Sequence, residues 1–145
     1  MDINFKNDCS VTVQMKDYLQ ESMDESGLSI NHEAATPAKE NLFDVDSEAP
    51  LLEGDEFETA KFLYVAIRAQ LDMLLPVAFL CTRITKSTKQ VQMKLKRVLE
   101  YVKGSTDSVY TMGAESLNKA QSWFDAAYAV HLDMKSHTGG ITSFG

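Results

Sequence analysis

An α+β fold, mainly helical, follows from three features of this sequence. Residues 57–104 hold three apolar patterns of helical period in succession. Short runs with strand character stand on either side of that block, at Ser10 to Val13, Ser108 to Met112, Ala120 to Val130 and Ile141 to Phe144. Residues 28–56 carry Pro37, Pro50, Gly54 and many acids with little periodicity, and predict a long loop. A length of 145 residues suffices for one ordinary domain.

Taken in order, Met15 to Asp24 predicts a short helix, because Met15, Tyr18, Leu19 and Met23 make a partial stripe, and Gly27 is placed to end it. The loop that follows is long for a compact domain, which predicts a mobile connection or a tether laid over another surface, with Leu42 and Phe43 as its anchor. The first helix of the central block is expected from Glu56 to Ala69, with Ala60, Leu63, Tyr64 and Ile67 as its apolar stripe. Asp55, Glu56 and Glu58 at its start complement the exposed N–H groups of a helix N-terminus. Asp72 to Arg83 is apolar nearly all round, the mark of a helix buried on several sides. Pro76 within it predicts a kink or a later start. Thr88 to Lys103 is amphipathic, with Val91, Leu95, Val98, Leu99 and Val102 on one stripe and Gly104 as the expected stop. After Gly104 the strands open a sheet that these residues do not complete, and two strands alone are marginal in water.

Charge is distributed unevenly. The net charge is −7, yet residues 1–60 hold 15 acidic and 3 basic side chains, net −12, while residues 83–103 hold 7 basic and 1 acidic, net +6. The overall charge does not suggest a polyanion binder. The local patch allows either phosphate contacts or an ordinary solvated lysine face. Cys9 and Cys81 stand far apart, which argues against a disulfide framework or a zinc site and for a reduced, intracellular compartment, cytoplasmic or nuclear. Residues 1–15 carry charges throughout, so no signal peptide is expected. The longest uninterrupted apolar run, about ten residues, is too short to span a bilayer.

Chemistry-bearing motifs are few. No glycine-rich nucleotide loop occurs, and no serine or cysteine nucleophile stands beside a base. His131, Asp133 and His137 crowd one turn and read either as solvent-exposed polar residues or as a metal site. Asp125 lies mid-strand between Trp123, Phe124 and Tyr128, where a carboxylate is costly unless it is paired or bound to a cation. An edge-strand aspartate and a metal ligand both fit that pattern.

The order of segments carries a resemblance. VTVQMKDYL (11–19), ATPAKENLF (35–43), AKFLYVAIRAQLDMLLPVAFLCTRI (60–84), KLKRVLEYVKGS (94–105), SWFDAAYAVH (122–131) and SHTGGITSFG (136–145) together resemble the copia-type retrotransposon Pol polyprotein, from just after the reverse transcriptase palm into the start of RNase H. The similarity covers nearly the whole chain in the family's order. It implies four parts: the end of a palm/thumb-like segment at 1–27, an acidic linker at 28–55, a three-helix thumb/connection-like block at 56–104 and an RNase H-like start at 105–145.

What the resemblance implies is specific. The helical block would grip an RNA/DNA duplex, making Lys94, Lys96 and Arg97 candidates for phosphate contacts. Asp125 would match the aspartate on the first RNase H strand that helps to bind two magnesium ions (Mg2+), which activate water and stabilise the leaving oxygen in phosphodiester cleavage. The family's pattern close to Arg-x-Arg-Pro-Asp reads here as Arg68, Ala69, Gln70, Leu71, Asp72, which hints at drift. No Tyr-x-Asp-Asp polymerase motif occurs, and the other RNase H carboxylates are not among these residues. The isolated chain is therefore expected to need no cofactor and to catalyse neither DNA synthesis nor RNA cleavage. Its expected partners are the missing palm and RNase H portions, with no membrane. The alternative expectation is a stand-alone helical module, recruited from such an element to bind nucleic acid or protein.

Overall fold

A computed structural model describes residues 1–46, 48–52, 59–114, 116, 118–129 and 134–144. Its strands are β1 (Asp2–Phe5), β2 (Val11–Gln14), β3 (Tyr110–Met112), β4 (Gln121–Ala127) and β5 (His137–Ser143). Its helices are α1 (Lys16–Glu25), α2 (Thr59–Arg68), α3 (Leu74–Cys81) and α4 (Lys89–Ser105). The α+β expectation holds at this level: four helices are joined by two small antiparallel sheets, one ordered β1-β2-β3 and the other β4-β5.

The strand expected near Ser10–Val13 is β2, and its partner β1 was not foreseen in DINF. The turn between them is local chemistry. The Asp8 carboxylate accepts from the Ser10 N–H at 3.0 Å and from its hydroxyl at 2.6 Å, and Cys9 takes a left-handed φ of 63°. The expected strand at Ser108–Met112 is shortened to β3. It also joins a different sheet, pairing Val13 with Tyr110 and Val11 with Met112 instead of adding to the C-terminal strands. Lys16, bonded to the Asp107 carboxylate at 2.6 Å, fastens the same junction.

The core is built by the helices. Phe62, Phe79, Leu19, Met73, Leu80 and Leu99 are its largest fully buried side chains. Burial of each such side chain contributes roughly 1.5–3 kcal/mol. In α2 the inward face is Thr59, Phe62, Val65 and Ala66, continued by Ala69. That corrects the expected stripe: Ala60 faces solvent, Leu63 is half-buried, and Tyr64 and Ile67 are exposed. Two stripes of the same helical spacing compete on this apolar helix, and packing against α1 and α3 buries the one carrying Phe62. Tyr64 packs outside against Tyr18 and beneath the Arg68 guanidinium.

Pro76 acts as a start signal. A 3-10 turn at Leu71–Met73 leads into α3, so the proline falls in the first helical turn, where its missing N–H costs no hydrogen bond. In α4 all five residues of the expected stripe are buried, and the Thr88 hydroxyl caps the start by accepting from the Val91 N–H. Gly104 does not stop this helix, which runs on to Ser105. A Cβ at Gly104 would lie 3.2 Å from a Glu33 carboxylate oxygen, so the glycine serves the close approach of the loop.

The described part of that loop is a strap on the body. Its expected anchors hold: Leu42 is buried in the core, and Phe43 packs edge-on to Phe79 with ring centroids 5.4 Å apart. Beyond α4 and β3, the β4–β5 hairpin pairs Gln121 through Ala127 with Ser143 through His137. Its side chains are largely open on both faces. Trp123 is 52 % exposed, Phe124 77 % and, just past the strand, Tyr128 89 %. Among the described residues no helix is long and apolar enough to cross a membrane.

Candidate nucleic-acid interface

The basic face lies on α4, and its geometry follows from helical spacing. Val91, Leu95, Val98 and Val102 point into the core, which turns Lys94, Arg97 and Lys103 towards the strap. The strap runs antiparallel to the helix. From Asp46 back to Ile30, its bonds step along α4 from Gln90 to Lys103. The Asp46 N–H donates to the Gln90 side-chain oxygen at 2.9 Å. Lys94 Nζ donates to the carbonyls of Leu42, at 2.8 Å, and Asp44. Arg97 Nε donates to the Thr36 carbonyl at 3.0 Å and Nη2 to the Thr36 hydroxyl at 3.1 Å. The Ala34 N–H donates to the Glu100 carbonyl at 3.0 Å, and Lys103 Nζ to the Ile30 carbonyl at 3.2 Å.

Two of the three candidate phosphate contacts therefore satisfy backbone carbonyls. Burial pushes the Lys94 ammonium below the ordinary lysine range, against the upward pull of Asp44. Its charge also lies 5.4 Å from the centre of the Phe79 ring. Lys96 differs. It is half-buried, and among the described residues it takes no hydrogen bond or ion pair. The structure thus groups Lys94 and Arg97 as strap holders and leaves Lys96, of these three, without a hydrogen bond or ion pair among the described residues.

Sequence reasoning passed over three contributors here: Thr36, Gln90 and the pair His32–Glu100. Glu100 is buried, and its carboxylate lies 3.2 Å from His32 Nε2, an ion pair when the imidazole is protonated. Its signal was available, as the lone acid in the basic run 83–103. Partners 44 residues apart, as with Asp46 and Gln90, or 61 apart, as with Thr36 and Arg97, left no local pattern.

Asp125 lies on β4 opposite Gly139, on the same hairpin face as Trp123 and Ile141. It is exposed, so the expected cost of a carboxylate held among aromatic neighbours does not arise: the hairpin surface is open to water. His137, at the far end of that face, packs at a tilt against the Phe43 ring at 5.2 Å between centroids and so ties the hairpin to the strap. His131 and Asp133 of the candidate metal turn lie outside the described residues. A two-magnesium site needs several converging carboxylates. Among the described residues no group of three or more His, Cys, Asp or Glu side chains is placed to hold a metal ion, so Asp125 and its neighbours do not by themselves fit that pair of ions.

No family model, no curated protein and no solved structure matches this chain.

Proposed function

We propose that this chain is part of a copia-type retrotransposon reverse transcriptase/RNase H polyprotein, whose activity is RNA-directed DNA synthesis with RNA strand cleavage. In this reading the helical body is a thumb/connection-like support for an RNA/DNA duplex, and the β4–β5 hairpin opens an RNase H-like sheet. The observation that carries it is the hairpin. Its two strands expose Trp123, Phe124 and Ile141, as strands do when further layers of a sheet are to cover them. They also coincide with the segments SWFDAAYAVH and SHTGGITSFG on which the resemblance rests.

The residues at hand carry neither a polymerase metal motif nor a complete set of RNase H carboxylates, so the isolated chain performs neither reaction. Its contribution is positional: Lys96, with Lys94 and Arg97 where the strap yields, neutralises backbone phosphates without reading sequence. The test is fluorescence anisotropy of a labelled RNA/DNA hybrid with the pure chain at two salt concentrations. The expected result is weak binding with a logarithmic salt slope near −1 to −3, as for roughly one to three phosphates, reduced by about one in Lys96→Ala. Absence of binding at low salt overturns the duplex-support role, and magnesium-dependent turnover by the pure chain overturns its non-catalytic character.

A second reading, a stand-alone helical binding module recruited from such an element, is favoured by one observation. Phe79 is buried within the chain itself, with Val77 and Leu80, so most of α3 is covered without an absent layer, while Leu74 is half-buried and Leu75 is 49 % exposed.

A further inference from the structure

Thr36 is used neither by the core nor by the duplex-support reading. It is exposed, at a bend of the strap, and begins the sequence Thr36-Pro37-Ala38-Lys39. No other serine or threonine of the 145 residues is followed by proline. Proline after the acceptor presents no N–H and a fixed φ, and with a lysine three positions beyond the threonine this is the arrangement that proline-directed protein kinases select. The strap is fastened on both sides, by the Ala34 N–H on the Glu100 carbonyl and by Lys94 on the Leu42 carbonyl. Between those anchors Thr36 lies on the surface, while Ala38 packs against the core.

The second observation is the partner. Arg97 grips both oxygens of this one threonine, the carbonyl through Nε at 3.0 Å and the hydroxyl through Nη2 at 3.1 Å, while the hydroxyl donates its proton to the Ala38 carbonyl at 3.0 Å. A guanidinium fork matches phosphate oxygens in pairs, and a phosphate beside it makes charge-assisted hydrogen bonds that order a loop. We propose that Thr36 is a phosphorylation site and that Arg97 receives its phosphate, latching the strap onto α4.

The step balances with a nucleoside triphosphate as co-substrate. Thr36 Oγ1 forms a bond to the γ-phosphorus, the bond from that phosphorus to the β–γ bridging oxygen breaks, and its electron pair leaves with the diphosphate. The hydroxyl proton passes to the carboxylate base of the kinase.

The experiment treats the folded 145-residue chain with a proline-directed kinase and ATP, locates phosphate by peptide mass spectrometry and then measures thermal unfolding. The expected result is one phosphate at Thr36, absent in Thr36→Val, and a Tm raised by about 3–5 °C. Arg97→Lys should reduce the rise and Arg97→Ala abolish it. Thr36→Ser, which keeps the hydroxyl and the fold, should take phosphate and show the same rise. Failure of the folded chain to accept phosphate at Thr36 while the peptide 30–46 accepts it overturns the site. Phosphate without a rise, or a rise that persists in Arg97→Ala, overturns the latch.

Discussion

Phe79 and Phe124 are the same residue in opposite circumstances. Phe79 sits in α3 with no exposed surface, touched by Phe43 and lying near the Lys94 charge. Phe124 sits on β4 with 77 % of its surface in water and its ring laid over Gly140. In the helical body α1, α2, α3, α4 and the strap cover one apolar face of each other, though Ile67 and Leu75 stay exposed. Among the described residues the hairpin pairs its own two strands, and its ring contact to the body is His137 against Phe43. Backbone pairing in the hairpin is complete in register over seven residue pairs, so hydrogen bonding alone does not separate the two regions. The difference is apolar burial, which supplies most of the stability of small domains.

The strongest way to break this comparison is to truncate both rings. Phe79→Ala should destabilise the body by about 3–5 kcal/mol, whereas Phe124→Ala should stay within about 0.5 kcal/mol. The molecule provides separate probes, because its single tryptophan, Trp123, lies in the hairpin and the helices dominate far-UV circular dichroism. In urea, the helical signal should unfold cooperatively while Trp123 fluorescence changes without a matching transition. Coincident transitions would show the hairpin and body to be one cooperative unit and end the distinction.

The strap gives the next largest effect, and it sets two neighbouring lysines against each other. Lys94→Met removes the donor to the Leu42 and Asp44 carbonyls and should cost about 1–2 kcal/mol. Lys96→Met should change the urea midpoint by less than about 0.5 kcal/mol equivalent. Equal losses from the two would mean that the strap is not held where the geometry puts it.

How much of this was legible in the sequence divides along the same line. The buried stripe of α4 could be read residue by residue, because Val91, Leu95, Val98, Leu99 and Val102 compete with no second apolar register. In α2 two registers compete, and only packing against α1 and α3 selects Phe62 and Val65 over Tyr64 and Ile67. The strap was legible as a loop and through its anchors Leu42 and Phe43. Its antiparallel course along α4 depends on side chains reaching carbonyls, and any carbonyl is an acceptor whatever the residue, so no sequence pattern announces it. For the candidate site, the basic residues were visible as a run. Which of them hold the strap depended on long-range contacts. The place of β3 beside β2 was hidden for the same reason, since the pairing joins residues about a hundred positions apart.

A smaller effect tests whether the three-stranded sheet belongs with the body. Cys9 holds a left-handed φ that costs a side-chain-bearing residue roughly 1 kcal/mol, and glycine relieves most of it while losing some entropy. Cys9→Gly should therefore raise stability by about 0.5 kcal/mol. The gain should appear in the helical transition, because β3 and the Lys16–Asp107 bond couple this sheet to α1 and α4. A gain confined to a separate transition would detach the sheet from the body.

The smallest expected effect is one of pH, and it sits where α4 meets the turn before α3. The Tyr101 hydroxyl donates to the Asp72 carboxylate, and that bond, with some burial and the nearby charge, pushes the phenol up from 10.0 to about 12. A raised folded-state value means that the native chain keeps a proton which the unfolded chain releases. The stabilisation is thus full below pH 10 and is lost as pH rises towards 12. Because the pair is largely solvated, its size should be under about 1 kcal/mol. Lys94 slopes the opposite way: its lowered value makes stability rise with pH on the approach to 10.5. The informative quantity is therefore the difference between the chain and Tyr101→Phe across that window. A difference that falls with pH in the helical signal and leaves Trp123 unmoved would assign the Tyr101–Asp72 bond to the body alone, whereas a parallel change in Trp123 would mean that the hairpin feels α4 through the strap.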